Sequence, residues 1–131
     1  MSKGFFVVAQ KAVIKDRGRY LVVKRSEHGH LYPNRWEFPG GKLEKGEDIL
    51  KSLEREVLEE TSLRVKAIRP VFAFHHAEKS KQAVFIFHLC ERLSGKVKLS
   101  HEHTKFRWAK MEEIQKLEIT PALKAFLGKA L

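Results

Sequence analysis

The sequence predicts an α/β (α+β) domain, and three observations carry that prediction. Runs of β-branched and aromatic residues are paired across short polar turns, one strongly periodic helical stretch covers residues 48–60, and a capped helical segment lies near the C-terminal end. The 131 residues, 43% of them apolar, can build one shared core. Neither a repeat, a low-complexity tract nor a linker divides them, so residues 1–131 are expected to form a single domain.

Each element has its own signal. Residues 4–14 are rich in Phe, Val and Ala; the polar segment 15–19 contains Gly18, and a second apolar run follows at 20–23, so the two runs read as a hairpin. Residues 26–35 mix Gly, His, Pro and Asn without a period. Trp36-Glu37-Phe38 then alternates briefly before Pro39-Gly40-Gly41 breaks the chain. From Asp48 the spacing turns helical, with Ile49, Leu50, Leu53 and Val57 on one side, and it ends near Thr61-Ser62. Residues 63–74 and 82–91 form a second expected hairpin around the polar stretch 77–81, and shorter strands are expected at 96–99 and 105–110. A short helix fits 111–117. Thr120 followed by Pro121 supplies an N-cap and first-turn proline for a last helix reaching Leu127.

Composition restricts the class of function. No stretch approaches the roughly 18 apolar residues of a membrane span, and the apolar run at 5–9 is too short for a signal sequence, so a cytoplasmic protein with no membrane partner is expected. Cys90 is the single cysteine, which rules out an internal disulfide and suits a reducing compartment; in its apolar run it reads as packing. Lys and Arg number 26 against 16 Asp and Glu, a formal charge of +10 that favours polyanionic partners. The basic residues are scattered, so a well-solvated, heat-adapted surface is the bland alternative.

The central helix carries the chemistry. With about 100° per residue and Ile49 at zero, Leu53, Val57 and Leu50 span about 40° to 100°, while Glu60, Glu56 and Glu59 fall at about 20°, −20° and −80°. Lys51, Glu54 and Leu58 face elsewhere. Three acids therefore border the buried side, where desolvation and mutual repulsion penalise them unless a cation binds. Carboxylates of this kind suit Mg²⁺ or Mn²⁺, which bridge to substrate phosphates; simple pairing with Lys and Arg neighbours is the alternative. Ahead of the helix, Pro39-Gly40-Gly41 and residues 42–47 make a glycine-punctuated loop that ends in Glu47, and its glycines let backbone approach an ion or phosphate.

From 41 to 63 the chain resembles the Nudix box, G-x5-E-x7-R-E-U-x-E-E-x-G-U with U a bulky aliphatic residue. Gly41, Glu47, Arg55-Glu56-Val57, Glu59-Glu60 and Leu63 fill eight of its nine specified positions. Ser62 stands where the pattern has glycine, a change that would cost on the order of 1 kcal/mol or alter the turn after the helix. The flanks are also similar to the family: the preceding hairpin, Trp36-Glu37-Phe38-Pro39-Gly40, and later Glu102-His103 and Arg107-Trp108.

The resemblance implies a Nudix fold, a mixed β-sheet sandwiched between helices, and Mg²⁺-dependent hydrolysis (Mn²⁺ being the alternative ion) of a nucleoside diphosphate linked to another group. It implies metal ligation by Glu56, Glu59 and Glu60 near the Gly40 carbonyl, with one acid activating water and Arg55, paired with Glu47, orienting the acids. Glu102 is the later-loop candidate for ligand or base. A zinc site using His101 and His103, with His75, His76, His88 or Cys90, is the rival reading of that loop. Trp36, Phe38 and Phe74, like Phe72, offer ring faces for a nucleobase, and Gly41 offers backbone to phosphate.

The lead-in Trp-Glu-Phe-Pro-Gly-Gly is similar to the branch that removes pyrophosphate from nucleoside triphosphates, modified ones included. Ile119 stands where that branch can carry Asn or Asp to read the base, so recognition of an oxidised guanine is not implied. The expected substrate is thus a small-molecule nucleotide, a nucleoside triphosphate, modified ones included, cut to monophosphate and pyrophosphate. ADP-ribose, another nucleotide sugar or a dinucleotide is the alternative, and the protein is expected to be a monomer or homodimer. A non-enzymatic nucleotide- or RNA-binding module of the same fold is the rival of another class, and hydrolysis at an RNA 5′ end lies between the two. The carboxylate set argues against a pure phosphate binder, which gains nothing from anions at its site.

Overall fold

Strand β1 (Phe6–Asp16) organises the sheet, because three strands use its two edges. The computed structural model describes residues 6–29, 31–78 and 81–130; the start of the first expected run and residues 79–80 of the second expected turn fall outside them. Along one edge β1 pairs in parallel with β6 (Lys81–Ser94), from Phe6 opposite Gln82 to Ile14 opposite Cys90. Its other edge takes β4 (Gly40–Lys42) and then, at Lys15 and Asp16, the start of β2 (Arg19–Arg25). Arg17 and Gly18 both have positive φ, 53° and 79°, giving the two-residue turn whose twist matches a hairpin.

The remaining strands are antiparallel. β3 (Trp36–Glu37) and β7 (His103–Ala109) pair with β2, and β5 (Arg64–Glu78) pairs with β6. Ala9 to Ile14 are all buried, without alternation, because both faces of β1 are covered. On one face Ala12, Ile14 and Leu21 pack against Leu53 and Val57 of α1 (Ile49–Thr61). On the other, Val13, Val22 and Phe87 meet Ile114 of α2 (Met111–Ile114) and Leu123, Phe126 and Leu127 of α3 (Pro121–Ala130). The sheet is mixed and lies between helices, as expected. No helix among the described residues is long and apolar enough to cross a membrane.

Local chemistry sets the helix ends. Asp48 caps α1 by accepting from Lys51 N at 2.9 Å, and Thr120 Oγ1 accepts from Leu123 N at 3.4 Å ahead of Pro121. Ser62 takes the left-handed conformation expected of the box glycine, with φ 66° and ψ 9°, and its N–H bonds the Leu58 carbonyl. Its hydroxyl donates to Lys98 O at 3.1 Å, so the turn keeps its shape.

Three expectations are corrected. Residues 96–99 form no strand: Lys98 N bonds Thr61 O and Ser100 N bonds Glu60 O, so this segment closes the C-terminal end of α1. Pro39-Gly40-Gly41 is less a break than the start of β4, since a Cβ on Gly40 would lie 1.9 Å from the Gln10 carbonyl oxygen and only glycine can pair there. On α1, Ile49 is exposed, whereas Glu54 is half-buried and accepts from Ala67 N at 2.9 Å instead of facing solvent.

Candidate active site

One side of α1 holds an ion-pair lattice centred on Arg55. Its guanidinium donates to Glu47 Oε2 at 2.7 Å and to Glu59 Oε1 at 3.0 Å, and stands 3.4 Å from Glu56 Oε1. Glu47 also accepts from Glu44 N and Ser52 Oγ, which fixes the loop to the first turns of the helix. The Arg55 hydrogen bond leads the effects that pull the Glu47 carboxyl below its ordinary range. Glu56 moves the other way, upward, through burial first and then through the acids Glu59, Glu102 and Glu47 against the opposing pull of Arg55. Its carboxyl group lies over Gly41, where an added Cβ would stand 2.6 Å from it.

The last turn of α1 carries Glu60 into the interior, 5% exposed. Its Oε1 accepts from Gly40 N at 3.3 Å and lies 3.9 Å from His103 Nδ1. Burial pushes this carboxyl up to about 8; Lys11 and the Gly40 N–H oppose the shift, and Glu37 and Glu102 add to it. Across the ring, His103 Nε2 is 2.8 Å from Glu37 Oε2. Burial also works against ionisation of Glu37, but Lys11 Nζ at 3.0 Å, His103 and Arg25 outweigh it and hold the carboxyl at about 2.

A register shift in β7 aims the histidine. Lys105 pairs with Lys24 and His103 with Arg25, which leaves Thr104 as an extra residue. The bulge turns His103 to the side of Arg25 and Glu37.

The structure therefore gathers Glu60, Glu102 and His103, with one ligand atom from each lying within 4.8 Å of the others. Glu56 flanks them at Gly41, while Glu59 points its carboxylate at Arg55 on the exposed side of the helix. The His and Cys candidates do not converge: among the described residues no group of three includes His75, His76, His88, His101 or Cys90. His88 bonds Gln10 and His75 bonds Gln82, and burial raises the Cys90 thiol to about 12, which makes it a packing group. Lys11, Arg25 and Glu37 were missed as site residues. Only a buried lysine within an apolar strand hinted at them, and their shared partner lies 26 positions from Lys11 and 66 from His103.

The expected base platform divides. Phe38 is 1% exposed and packed edge-on against Phe87 and Phe126, so it has no face to offer a ligand. Trp36 is half-buried and lines a cavity of about 650 Å³ with Phe106, Lys105 and Arg107, whereas half-buried Phe74 stacks on His76. Ile119 bridges to Trp36, and Thr120 N bonds the Trp36 carbonyl.

A divalent cation fits this donor set. His103 Nδ1 is buried and has no hydrogen-bond partner, and the carboxyl of Glu60 is kept from ionising by its burial beside other acids. Residues 6–129 match the family model described as NUDIX domain. A nucleoside triphosphatase, NudI, from Escherichia coli is 26% identical over 126 residues, covering 88% of this chain and 89% of that protein. The crystal structure of a MutT protein from Methanosarcina mazei Go1 superposes with TM-score 0.88 at 23% identity, covering 98% of this chain and 95% of that one. A C. elegans Ap4A hydrolase is similar at TM-score 0.75 and 25% identity, over 94% and 93% of the two chains.

Proposed function

The chain belongs to the Nudix family of hydrolases, which act on nucleoside diphosphate derivatives, and we propose that it converts a nucleoside triphosphate to the monophosphate and pyrophosphate. The observation that carries this reading is the buried Glu60 carboxyl, turned to the Gly40 N–H of β4 and gathered with Glu102. Among relatives, the triphosphatase that aligns over nearly the whole chain supports the choice of substrate.

Glu56, Glu60 and Glu102 with the Gly40 carbonyl would hold the divalent ion, Mg²⁺ or Mn²⁺, and Glu59 would join them at the exposed rim. When bound, the ion supplies neutralisation of phosphate charge and a lower pKa for the attacking water. The other tasks fall to the chain. Arg55 anchors Glu47 and Glu59 so that the acid-bearing face of α1 keeps one orientation. Gly40 N–H steadies the Glu60 carboxylate, and Gly41 leaves room for that of Glu56. Glu102, exposed at the mouth of the cluster, takes the proton from water. Trp36 receives the base, aided by Phe106, while Lys105 and Arg107 offset phosphate charge. Phe74 would serve only at the margin of this platform.

In this reading residues 1–131 work as one domain in the cytoplasm. A panel of nucleoside triphosphates, ADP-ribose, nucleotide sugars and diadenosine tetraphosphate with Mg²⁺ tests it. Pyrophosphate release from a triphosphate is the expected result. Preferential cleavage of another member would move the substrate, and inertness toward all of them, with Glu60→Gln indistinguishable from the parent, would end the hydrolase reading.

A further inference from the structure

His103 is a buried ring with one nitrogen used and one nitrogen idle. Its side chain is 3% exposed. Nε2 meets Glu37 Oε2 at 2.8 Å, and Glu37, paired with Lys11 and Arg25, accepts there, so Nε2 carries a proton and in the neutral imidazole the lone pair falls on Nδ1. Nδ1 has no hydrogen-bond partner, and at 3.9 Å from Glu60 Oε1 it lies beyond hydrogen-bond reach. A bare buried nitrogen lone pair beside two carboxyl groups is unfavourable unless a donor or a cation satisfies it.

Two devices maintain this arrangement. The bulge at Thr104 turns the ring toward Glu37, and Lys11 and Arg25 fix Glu37. Together they supply the carboxylate–histidine half of a carboxylate–histidine–metal relay, in which an outer carboxylate sets the tautomer and direction of an inner imidazole.

We propose that His103 Nδ1 is itself a ligand of the catalytic metal, joining Glu60 and Glu102, with Glu37 as the residue that positions the ring. The proposal rests on the metal-dependent reading above and extends it. An imidazole donor makes the site distinct from an all-oxygen Mg²⁺ cage: it favours Mn²⁺ or Co²⁺, ions that accept nitrogen readily.

The test uses Mn²⁺ alone, without nucleotide. Pulsed EPR of the Mn²⁺-loaded protein is expected to show ¹⁴N coupling that converts to the ¹⁵N pattern when only histidine is ¹⁵N-labelled. His103→Gln is expected to abolish the coupling and weaken Mn²⁺ binding on the order of 10-fold or more, with Mg²⁺ binding reduced less. His101→Gln is expected to leave both unchanged. Bound Mn²⁺ without histidine nitrogen coupling in the labelled parent protein, a readout independent of any variant's folding, would overturn the proposal, as would coupling that survives in His103→Gln. Nucleotide hydrolysis with Mg²⁺ separates the two readings: turnover without nitrogen coupling rejects the ligand and keeps the hydrolase, and nitrogen coupling without turnover does the reverse.

Discussion

Glu37 at the end of β3 and Glu60 in the last turn of α1 are equally buried, 5% exposed each, and they flank the same imidazole, yet their carboxyls are driven apart to about 2 and about 8. Partners make the difference. Glu37 receives Lys11, Arg25 and His103, so its charge is satisfied within the fold. Glu60 receives one backbone N–H, and burial beside other acids outweighs the pull of Lys11, so its charge awaits a cation from outside. A buried acid with its counter-ions in place belongs to the architecture, and one left short of them marks where a ligand enters.

Substitutions can break that contrast, and the largest effect is expected at Glu60. Glu60→Gln should lower hydrolysis by roughly 100-fold or more while leaving the metal-free protein at least as stable, measured by turnover and by urea unfolding in chelator. Glu37→Gln should show itself first in stability. It strips two cations of their shared partner and should cost about 3 kcal/mol of stability in the same unfolding experiment, whatever metal is present.

The pH dependence sharpens the same distinction. Between its ordinary value of 4.5 and about 8, native Glu60 keeps a proton that the unfolded chain has released. Metal-free stability should therefore fall as pH rises through that window, and this slope should be shallower in Glu60→Gln. Glu37 has the reverse sign: its contribution is present above 4.5 and is lost as pH falls toward 2. Unfolding midpoints at pH 5, 7 and 8.5 in chelator would expose the first slope, and a profile identical in parent and variant would refute the contrast.

Smaller effects are expected farther from the two glutamates. Gly41→Ala places a Cβ 2.6 Å from the Glu56 carboxyl, and the flexible side chain can retreat, so activity should fall about 10-fold with under about 1 kcal/mol of stability lost. Ser62→Gly relieves a left-handed serine but removes its bond to Lys98 O; the two effects oppose, and unfolding should change by no more than about 0.5 kcal/mol.

The helix was legible because its period and its acids are local, and the family resemblance implied the pairing of Arg55 with Glu47. The α+β class followed from the strand and helix signals, and the sandwich from the family resemblance. What local pattern cannot carry is partnership at a distance. Glu37 looked like one polar residue in a strand, and only the fold joins it to Lys11, Arg25 and His103. Phe38 and Trp36 read alike as aromatic platforms, until packing against Phe126 removed one and a cavity beside β7 kept the other half-open. Residues 96–99 had strand composition but were drawn off to close the end of α1. Ser62 departed from the expected glycine in identity and not in conformation.

The parallel pairing of β1 with β6 also governs when the molecule can form. Residue 6 meets residue 82 and residue 14 meets residue 90, so the central strand stays without its neighbour along one whole edge until the chain has been made past that point. The three residues around the imidazole's cavity come from positions 37, 60 and 102, and the ring itself from 103. During synthesis the first hairpin and α1 can appear early, but a chain emerging N-terminus first must leave the β6 edge of β1 open while the rest is translated. The gathering of Glu60, Glu102 and His103 thus waits for a late step, after the chain has been made past residue 103.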